Sequence, residues 1–113
     1  MSLPAFQGFD DFWPFYLGEH AHPTNRALHV VGTTTAMLWL LGSLATASFV
    51  LAPLALVLGY GPAWIGHFFV EGNKPASFEH PLWSFLGDMK MVGLALTGRL
   101  GAEVERLGIE APA

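Results

Sequence analysis

Hydrophobic residues form one long, uninterrupted run in the middle of the chain. Between Ala27 and Val70 there is no Asp, Glu, Lys or Arg. A membrane-spanning helix needs about 20 predominantly apolar residues, so this run is long enough for two. Pro53 favours a break, which divides the run into segments 30–51 and 52–70. The pattern therefore predicts a two-helix transmembrane hairpin. The alternative is a soluble bundle in which both helices are buried.

The segments on either side of this run have different patterns. Residues 1–20 are rich in aromatic side chains, and Pro14 limits any helix there to a short one. Such a segment suits a membrane interface or a cap on the core. After a turn at 71–76, apolar residues recur every three or four positions, which predicts one amphipathic helix from Pro81 to about Leu107. The whole pattern indicates an all-α fold, a small helical membrane protein that forms a single domain over its 113 residues.

Charged residues are scarce, and their distribution is informative. The chain has 5 Lys and Arg against 9 Asp and Glu, so no basic stripe is available for nucleic acid. The lack of cysteine excludes a disulfide scaffold and a thiolate metal site. By the positive-inside rule, we expect both termini to be cytoplasmic, because all the basic residues lie on one side of the hairpin. These residues are Arg26, Lys74, Lys90, Arg99 and Arg106.

Histidine is the residue type that points to chemistry in this chain. Two antiparallel helices that turn near residue 48 bring His29 and His67 to similar depth, and the other histidines leave the same end of the hairpin. Imidazoles without cysteine suit Fe(II), zinc or manganese. Iron would activate oxygen and zinc would activate water, and the spacing leaves both open. The candidate metal ligands are His20, His22, His29, His67 and His80.

Two further polar residues share helix faces with these histidines. Asn25 lies four residues before His29, and Glu71 lies four residues after His67. Each has a purely structural interpretation as well, since a polar group at a helix end is often a cap and Glu71 can pair with Lys74. Ionisable groups in or near membrane segments are costly and usually functional, which favours a shared site.

Two sequence blocks resemble a known family. The first reads YLGEHAHPTNRALH (16–29) and the second reads GHFFVEGNKPA (66–76). With the apolar hairpin between them, they resemble the 2-hydroxy fatty acid dioxygenase family over about residues 9–95. The resemblance implies a membrane enzyme that uses Fe(II) and O₂ to shorten 2-hydroxy fatty acids by one carbon, the α-oxidation reaction. For a short, bacterial-type member it also implies an inner-membrane location.

The resemblance extends to individual residues. It implies catalytic roles for Asn25 and Glu71, and ligand roles for the histidines of both blocks. His22 and His80 match only the shorter bacterial-type members. Matched positions in the two blocks are His20, Asn25, His29, His67, Glu71 and Pro75.

Two basic residues are candidates for binding the substrate, and two other functions remain open. Arg26 or Lys74 is expected to pair with the substrate carboxylate. Characterised family members have more hydrophobic segments between the two blocks, whereas this chain has one short hairpin. The alternatives to the dioxygenase are a non-catalytic membrane scaffold, whose histidines cap helices, and a zinc-dependent lipid hydrolase. Glycine-rich helix faces are compatible with a homo-oligomer.

Overall fold

The computed structural model describes residues 6–110, which fold into helices joined by short turns. No strand occurs within this range, so the prediction of an all-α fold is confirmed. Gly66–Glu71 continues the third α-helix as a π-helical turn, and single 3₁₀ turns occur at Phe49–Leu51 and Ala76–Phe78. The α-helices are α1 (Phe9–Gly18), α2 (Pro23–Ala45), α3 (Leu54–Ile65), α4 (Pro81–Leu96) and α5 (Leu100–Arg106).

Helices α2 and α3 form the antiparallel hairpin that the apolar run predicts. Small residues hold the two helices close together. A Cβ atom at Gly32 would lie 3.1 Å from the Leu58 carbonyl oxygen and from Pro62, and one at Gly59 would lie 3.3 Å from the Ala36 Cβ. These contacts fix the register of the hairpin, because only a small residue fits at each crossing.

The hairpin leaves most of its apolar surface uncovered. Helix α2 and the run Phe49–Glu71 are 23 residues each and apolar enough to cross a membrane. Only 28% of the apolar window of α2 and 11% of that of the second run are buried. The core helices of a soluble bundle would be mostly covered, so this exposure favours lipid contact over the soluble alternative. Helix α2, the first helix of the hairpin, begins earlier than the predicted segment 30–51. Pro23 is its first residue and His22 caps it.

The buried core lies at one end of the hairpin, where α1 and α4 pack against it. The N-terminal aromatic segment forms α1 and supplies most of this core, as expected for a cap. Helix α4 approaches the Tyr16 ring closely because Gly87 has no side chain; a Cβ there would lie 3.0 Å from the ring. The core residues are Phe12, Trp13, Tyr16, Leu17, Ala76, Met91 and Val104.

The C-terminal region differs from the one long helix that its apolar stripe predicts. The helix that begins at Pro81 ends at Leu96, and α5 starts after a turn. Gly98 adopts a φ of 72°, a left-handed conformation that glycine tolerates and that commonly ends helices. The turn redirects the chain so that Val104 packs into the core.

Candidate metal centre

Three imidazoles meet at the buried end of the hairpin. His20 follows α1, His29 lies in α2, and His67 lies in the π-helical turn. The Nε2 atom of His20 is 3.1 Å from Nε2 of His67 and 3.3 Å from Nδ1 of His29. All three ligand atoms lie within 4.8 Å of one another, and all three residues are buried. Nitrogen ligands about 2.1 Å from one ion stand about 3.0–3.4 Å apart, so the spacing fits a shared metal.

The second nitrogen of His20 and of His29 faces a hydrogen-bond acceptor. His20 Nδ1 lies 2.8 Å from the carbonyl oxygen of Tyr16. His29 Nε2 lies 2.6 Å from Oδ1 of Asp88, which also accepts the Tyr16 hydroxyl. Because a carbonyl and a carboxylate can only accept, each of these ring nitrogens carries the proton. The other nitrogen of each ring then has a free lone pair, and it faces the cluster.

His67 is oriented in the same way by Asn73. The backbone N–H groups of Gly72 and Asn73 both donate to the His67 carbonyl oxygen, at 2.8 and 2.9 Å, and this ends the π-helical turn. The Asn73 side chain thereby returns to the ring, and its Oδ1 lies 2.7 Å from His67 Nδ1. Its Nδ2 donates to the Glu19 carbonyl oxygen at 3.1 Å, which fixes the amide orientation. Oδ1 must therefore accept the Nδ1 proton of His67.

The three inward nitrogens are thus lone-pair acceptors that face each other in a buried space. Two acceptors at hydrogen-bond distance without a proton between them are unfavourable there unless a cation lies among them. Burial, more than the neighbouring imidazoles His29 and His67, lowers the pKa of His20 well below its ordinary value of 6.5. A proton on His20 is therefore disfavoured, and a metal ion bound by neutral imidazoles fits the arrangement.

Asn25 and Glu71 lie next to this cluster and connect the start of α2 with the π-helical turn. Glu71 Oε1 accepts the backbone N–H of His22 at 2.5 Å and the Asn25 side-chain amide at 3.4 Å. Asn25 is fully buried against Gly66, where a Cβ atom would lie 1.9 Å from the Asn25 Oδ1. These contacts tie the start of α2 to the π-helical turn, so they hold His29 and His67 at a fixed distance.

His22 and His80 lie outside the cluster of three. His22 caps α2, since its Nδ1 accepts the backbone N–H of Thr24 at 3.1 Å. The ring of His80 stacks on Trp83 among the aromatic residues of the core, with centroids 5.9 Å apart. Its buried Nε2 has no hydrogen-bond partner in the part of the chain that the structure describes. The structure therefore brings together three of the five histidines and narrows the expected ligand set.

The two basic residues expected to bind the substrate carboxylate, Arg26 and Lys74, lie outside the cavity wall. Arg26 Nη1 donates to the carbonyl oxygens of His20 and Ala21, at 2.9 and 2.8 Å, and so braces the turn before α2. Lys74 is exposed. Neither residue lines the cavity next to the imidazoles.

A cavity of about 170 Å³ extends from the imidazoles between α2, α3 and α4. Its wall is mostly apolar. Thr33 and Ser84 are polar exceptions. Thr33 lies one helical turn from His29, and Ser84 lies one helical turn from Asp88, the hydrogen-bond partner of His29. Among residues 6–110, the buried Ser84 hydroxyl has no hydrogen-bond partner. A buried hydroxyl of this kind usually has a water, an ion or a ligand as its partner.

Sequence reasoning missed the residues that orient the imidazoles. Asp88 is the only acid between Pro81 and Leu96. A lone acid on a mostly apolar helix indicates a structural or functional role for its carboxylate. Asn73 lies inside the second of the two blocks, at 66–76, so the resemblance could have pointed to it as well. Tyr16 acts through its backbone carbonyl and its hydroxyl, and no sequence pattern indicates either contact.

Fold and site together define a class of protein: a helical protein with two apolar helices that can cross a membrane and a buried three-histidine centre at one end of them. The family described as 2-hydroxy-palmitic acid dioxygenase Mpo1-like matches residues 6–100. The chain belongs to this family, which confirms the resemblance of its two blocks. No curated protein and no solved structure matches the chain.

Proposed function

We propose that this protein is an Fe(II)-dependent dioxygenase that shortens 2-hydroxy fatty acids by one carbon. The observation that carries the proposal is the convergence of three imidazole nitrogens at one end of an apolar cavity, with the second nitrogen of each ring facing a hydrogen-bond acceptor. The family supports the substrate class, a 2-hydroxy fatty acid, and the reaction with O₂. Imidazole ligands suit iron, and a set of three leaves positions open for other ligands.

The overall reaction balances with one O₂. The bond between carbons 1 and 2 breaks, carbon 2 becomes the new carboxyl carbon, and carbon 1 leaves as CO₂ with one water formed. The substrate supplies the four electrons that O₂ accepts. Iron held by His20, His29 and His67 would supply the activation of O₂.

The protein's own contribution is to fix and isolate this centre. Asp88 accepts the Nε2 proton of His29, and Asn73 accepts the Nδ1 proton of His67, so each ring keeps the tautomer that a metal requires. The apolar cavity excludes water from one side of the centre and receives a hydrocarbon chain. Zinc and manganese are alternative occupants of the same ligand set.

We propose that Ser84 contacts the polar head of the substrate. Its orphan hydroxyl lines the cavity one turn from Asp88, whereas Arg26 and Lys74 lie outside the wall. A hydrogen bond to a charged carboxylate is worth about 1.5–3 kcal/mol, so Ser84→Ala is expected to raise KM about tenfold or more. Metal content should stay unchanged, because Ser84 touches no imidazole. An unchanged KM for the 2-hydroxy acid would remove Ser84 from the site.

The location of the centre is also part of the proposal. The exposed apolar hairpin supports a membrane protein, and we infer that the metal centre lies at the cytoplasmic face with both termini on that side. Reporter fusions at the two termini test this orientation, since both should show cytoplasmic activity. A fusion that reports the opposite side would reverse the orientation.

Metal loading under anaerobic conditions tests the function directly. Protein purified without a polyhistidine tag is loaded with Fe(II), mixed with O₂ and 2-hydroxypalmitic acid, and assayed for O₂ consumption and product chain length. The expected product is the acid one carbon shorter, with one O₂ consumed per product. Protein that binds no metal would favour the scaffold alternative. Turnover of lipid esters by zinc-loaded protein without O₂ would favour the hydrolase.

A further inference from the structure

We propose that the cavity is a channel for the acyl chain within the hairpin, and that Leu40 and Ala55 at its far end limit the chain length that the site accepts. The inference takes its occupant, a fatty acid, from the proposed function. The course, depth and limiting residues of the channel come from the geometry of the hairpin.

The channel runs alongside the closed seam between α2 and α3, in the space that these two helices share with α4 near the imidazoles. Ala36 and Gly59 face each other across this seam, and one helical turn further the same antiparallel register places Leu40 opposite Ala55. All four residues line the cavity. From His29 to Leu40 the chain advances by 40 − 29 = 11 residues, or about 16 Å along the helix. This depth is close to half of the hydrocarbon thickness of a bilayer, about 30 Å.

The chemistry of the wall changes along this length. Near the imidazoles the cavity is lined by Ser84, Thr33 and Asp88, and farther along it is lined by apolar side chains. An occupant that fills it must therefore have a polar head and a long apolar body, which describes a fatty acid with its head at the metal. The apolar residues of the far part include Met37, Leu40, Ala55 and Leu56.

The cavity also borders the surface that faces lipid. Leu56, Trp64 and Phe85 line it, and these side chains are 62%, 43% and 47% exposed. In a membrane such side chains contact lipid, so a fatty acid can enter the channel sideways from the bilayer. This route needs no opening toward water, which suits a substrate that dissolves in the membrane.

Photo-cross-linking tests the channel without any need for catalysis. Metal-free protein in lipid nanodiscs is irradiated with 2-hydroxy fatty acids that carry a diazirine near the head, at mid-chain or at the end of the chain. The labelled residues should shift from Thr33 and Ala63 toward Leu40 and Ala55 as the diazirine moves away from the head. Labels that fall on the outer residues Val31 and Val57 at every diazirine position would overturn the channel.

Paired variants test the length limit. Leu40→Ala should extend the longest chain converted, and Ala55→Phe should shorten it. Each is expected to change the ratio of kcat/KM between long and short substrates about tenfold or more, because one added or removed methylene is worth roughly 10–200-fold in a hydrophobic pocket. Leu41→Ala and Val57→Phe are matched controls, since both residues are exposed and lie outside the cavity wall.

The two proposals fail in different ways. Cross-links that move along the hairpin without any turnover would keep the channel and overturn the dioxygenase. Turnover with a chain-length ratio that all four variants leave unchanged would keep the dioxygenase and overturn the limit at Leu40 and Ala55.

Discussion

The two ends of the α2–α3 hairpin are built from the same apolar helices but are held in different ways. At the metal end, Asn25 and His67 are 0% and 1% exposed, and hydrogen bonds connect α1, α2, the π-helical turn and α4. At the turn end, Val50 and Val57 are 87% and 65% exposed. Contacts within the protein therefore stabilise the structure of the metal end, whereas the stability of the turn end depends on the surrounding lipid or solvent. Substitutions should act strongly at the first and weakly at the second.

Removal of one central imidazole should have the largest effect on the metal end. His67→Ala is expected to abolish metal binding, because the two remaining imidazoles and water hold a divalent ion poorly. Metal analysis after dialysis measures this directly. His22→Ala is the matched control: it should keep the metal and lose about 0.5–2 kcal/mol of stability with the helix cap. Equal metal content in the wild type and His67→Ala would place the ion elsewhere.

Loss of the carboxylate that orients His29 should have the next largest effect. Asp88→Asn keeps the size of the side chain but weakens the hydrogen bonds from His29 and from the Tyr16 hydroxyl. The affinity for metal is expected to fall about 10–100-fold, as it does when other hydrogen-bond partners of metal-bound histidines are removed. Competition with a chelator measures the affinity. An unchanged affinity would mean that Asp88 serves the packing of α4 alone.

A methyl group at the contact between Asn25 and Gly66 should disturb the metal end by steric means. A Cβ at Gly66 would lie 1.9 Å from Asn25 Oδ1, so the fully buried amide or the backbone would have to shift. Gly66→Ala is expected to cost about 1–3 kcal/mol and to lower metal affinity as His67 shifts.

Gly61→Ala is the matched control for this substitution. It lies on the same helix with nothing within 4 Å of the added Cβ, so it should be neutral or stabilise by up to about 1 kcal/mol. Thermal unfolding in detergent compares the two variants. Equal effects would show that helix propensity, not the contact with Asn25, decides the outcome.

The contrast between the two ends also explains what the sequence can predict. The hairpin follows from local hydropathy, so its two helices and the break between them are predicted, although α2 spans Pro23–Ala45 instead of 30–51. The two histidines His29 and His67 lie at similar depth because the hairpin turns about midway between them. The contact between His29 and Asp88 joins residues 59 positions apart, and it depends on how α4 packs against Tyr16. No local pattern contains that information.

Gly98 and His22 were visible in the sequence, but each was compatible with more than one structure. Gly98 was compatible with a weakened helix or with a break, and the packing of Val104 in the core favours the break. The π-helical turn at Gly66–Glu71, by contrast, lies against Asn25 on another helix, and no local pattern in the sequence predicts it. His22 matched the pattern of a ligand, yet its position before Pro23 also made it an N-cap.

Acidification should weaken the metal end alone, because residues 30–66 contain no acid, base or histidine. In the metal-free protein, burial lowers the pKa of His20 below 6.5, so below that pH the unfolded chain binds a proton that the folded chain rejects. The free energy of unfolding should therefore be highest above pH 6.5 and fall by up to about 1.4 kcal/mol per pH unit below it.

His20→Gln isolates this contribution. Denaturant unfolding of the wild type between about pH 7.5 and about pH 5.5 should show the loss, and the variant should show less of it. The variant is necessary because burial also raises the pKa of Glu19 from 4.5, which favours the folded chain at the acidic end of the range. An equal decline in both proteins would assign the pH dependence to groups other than His20, and the buried imidazole would then no longer distinguish the two ends of the hairpin.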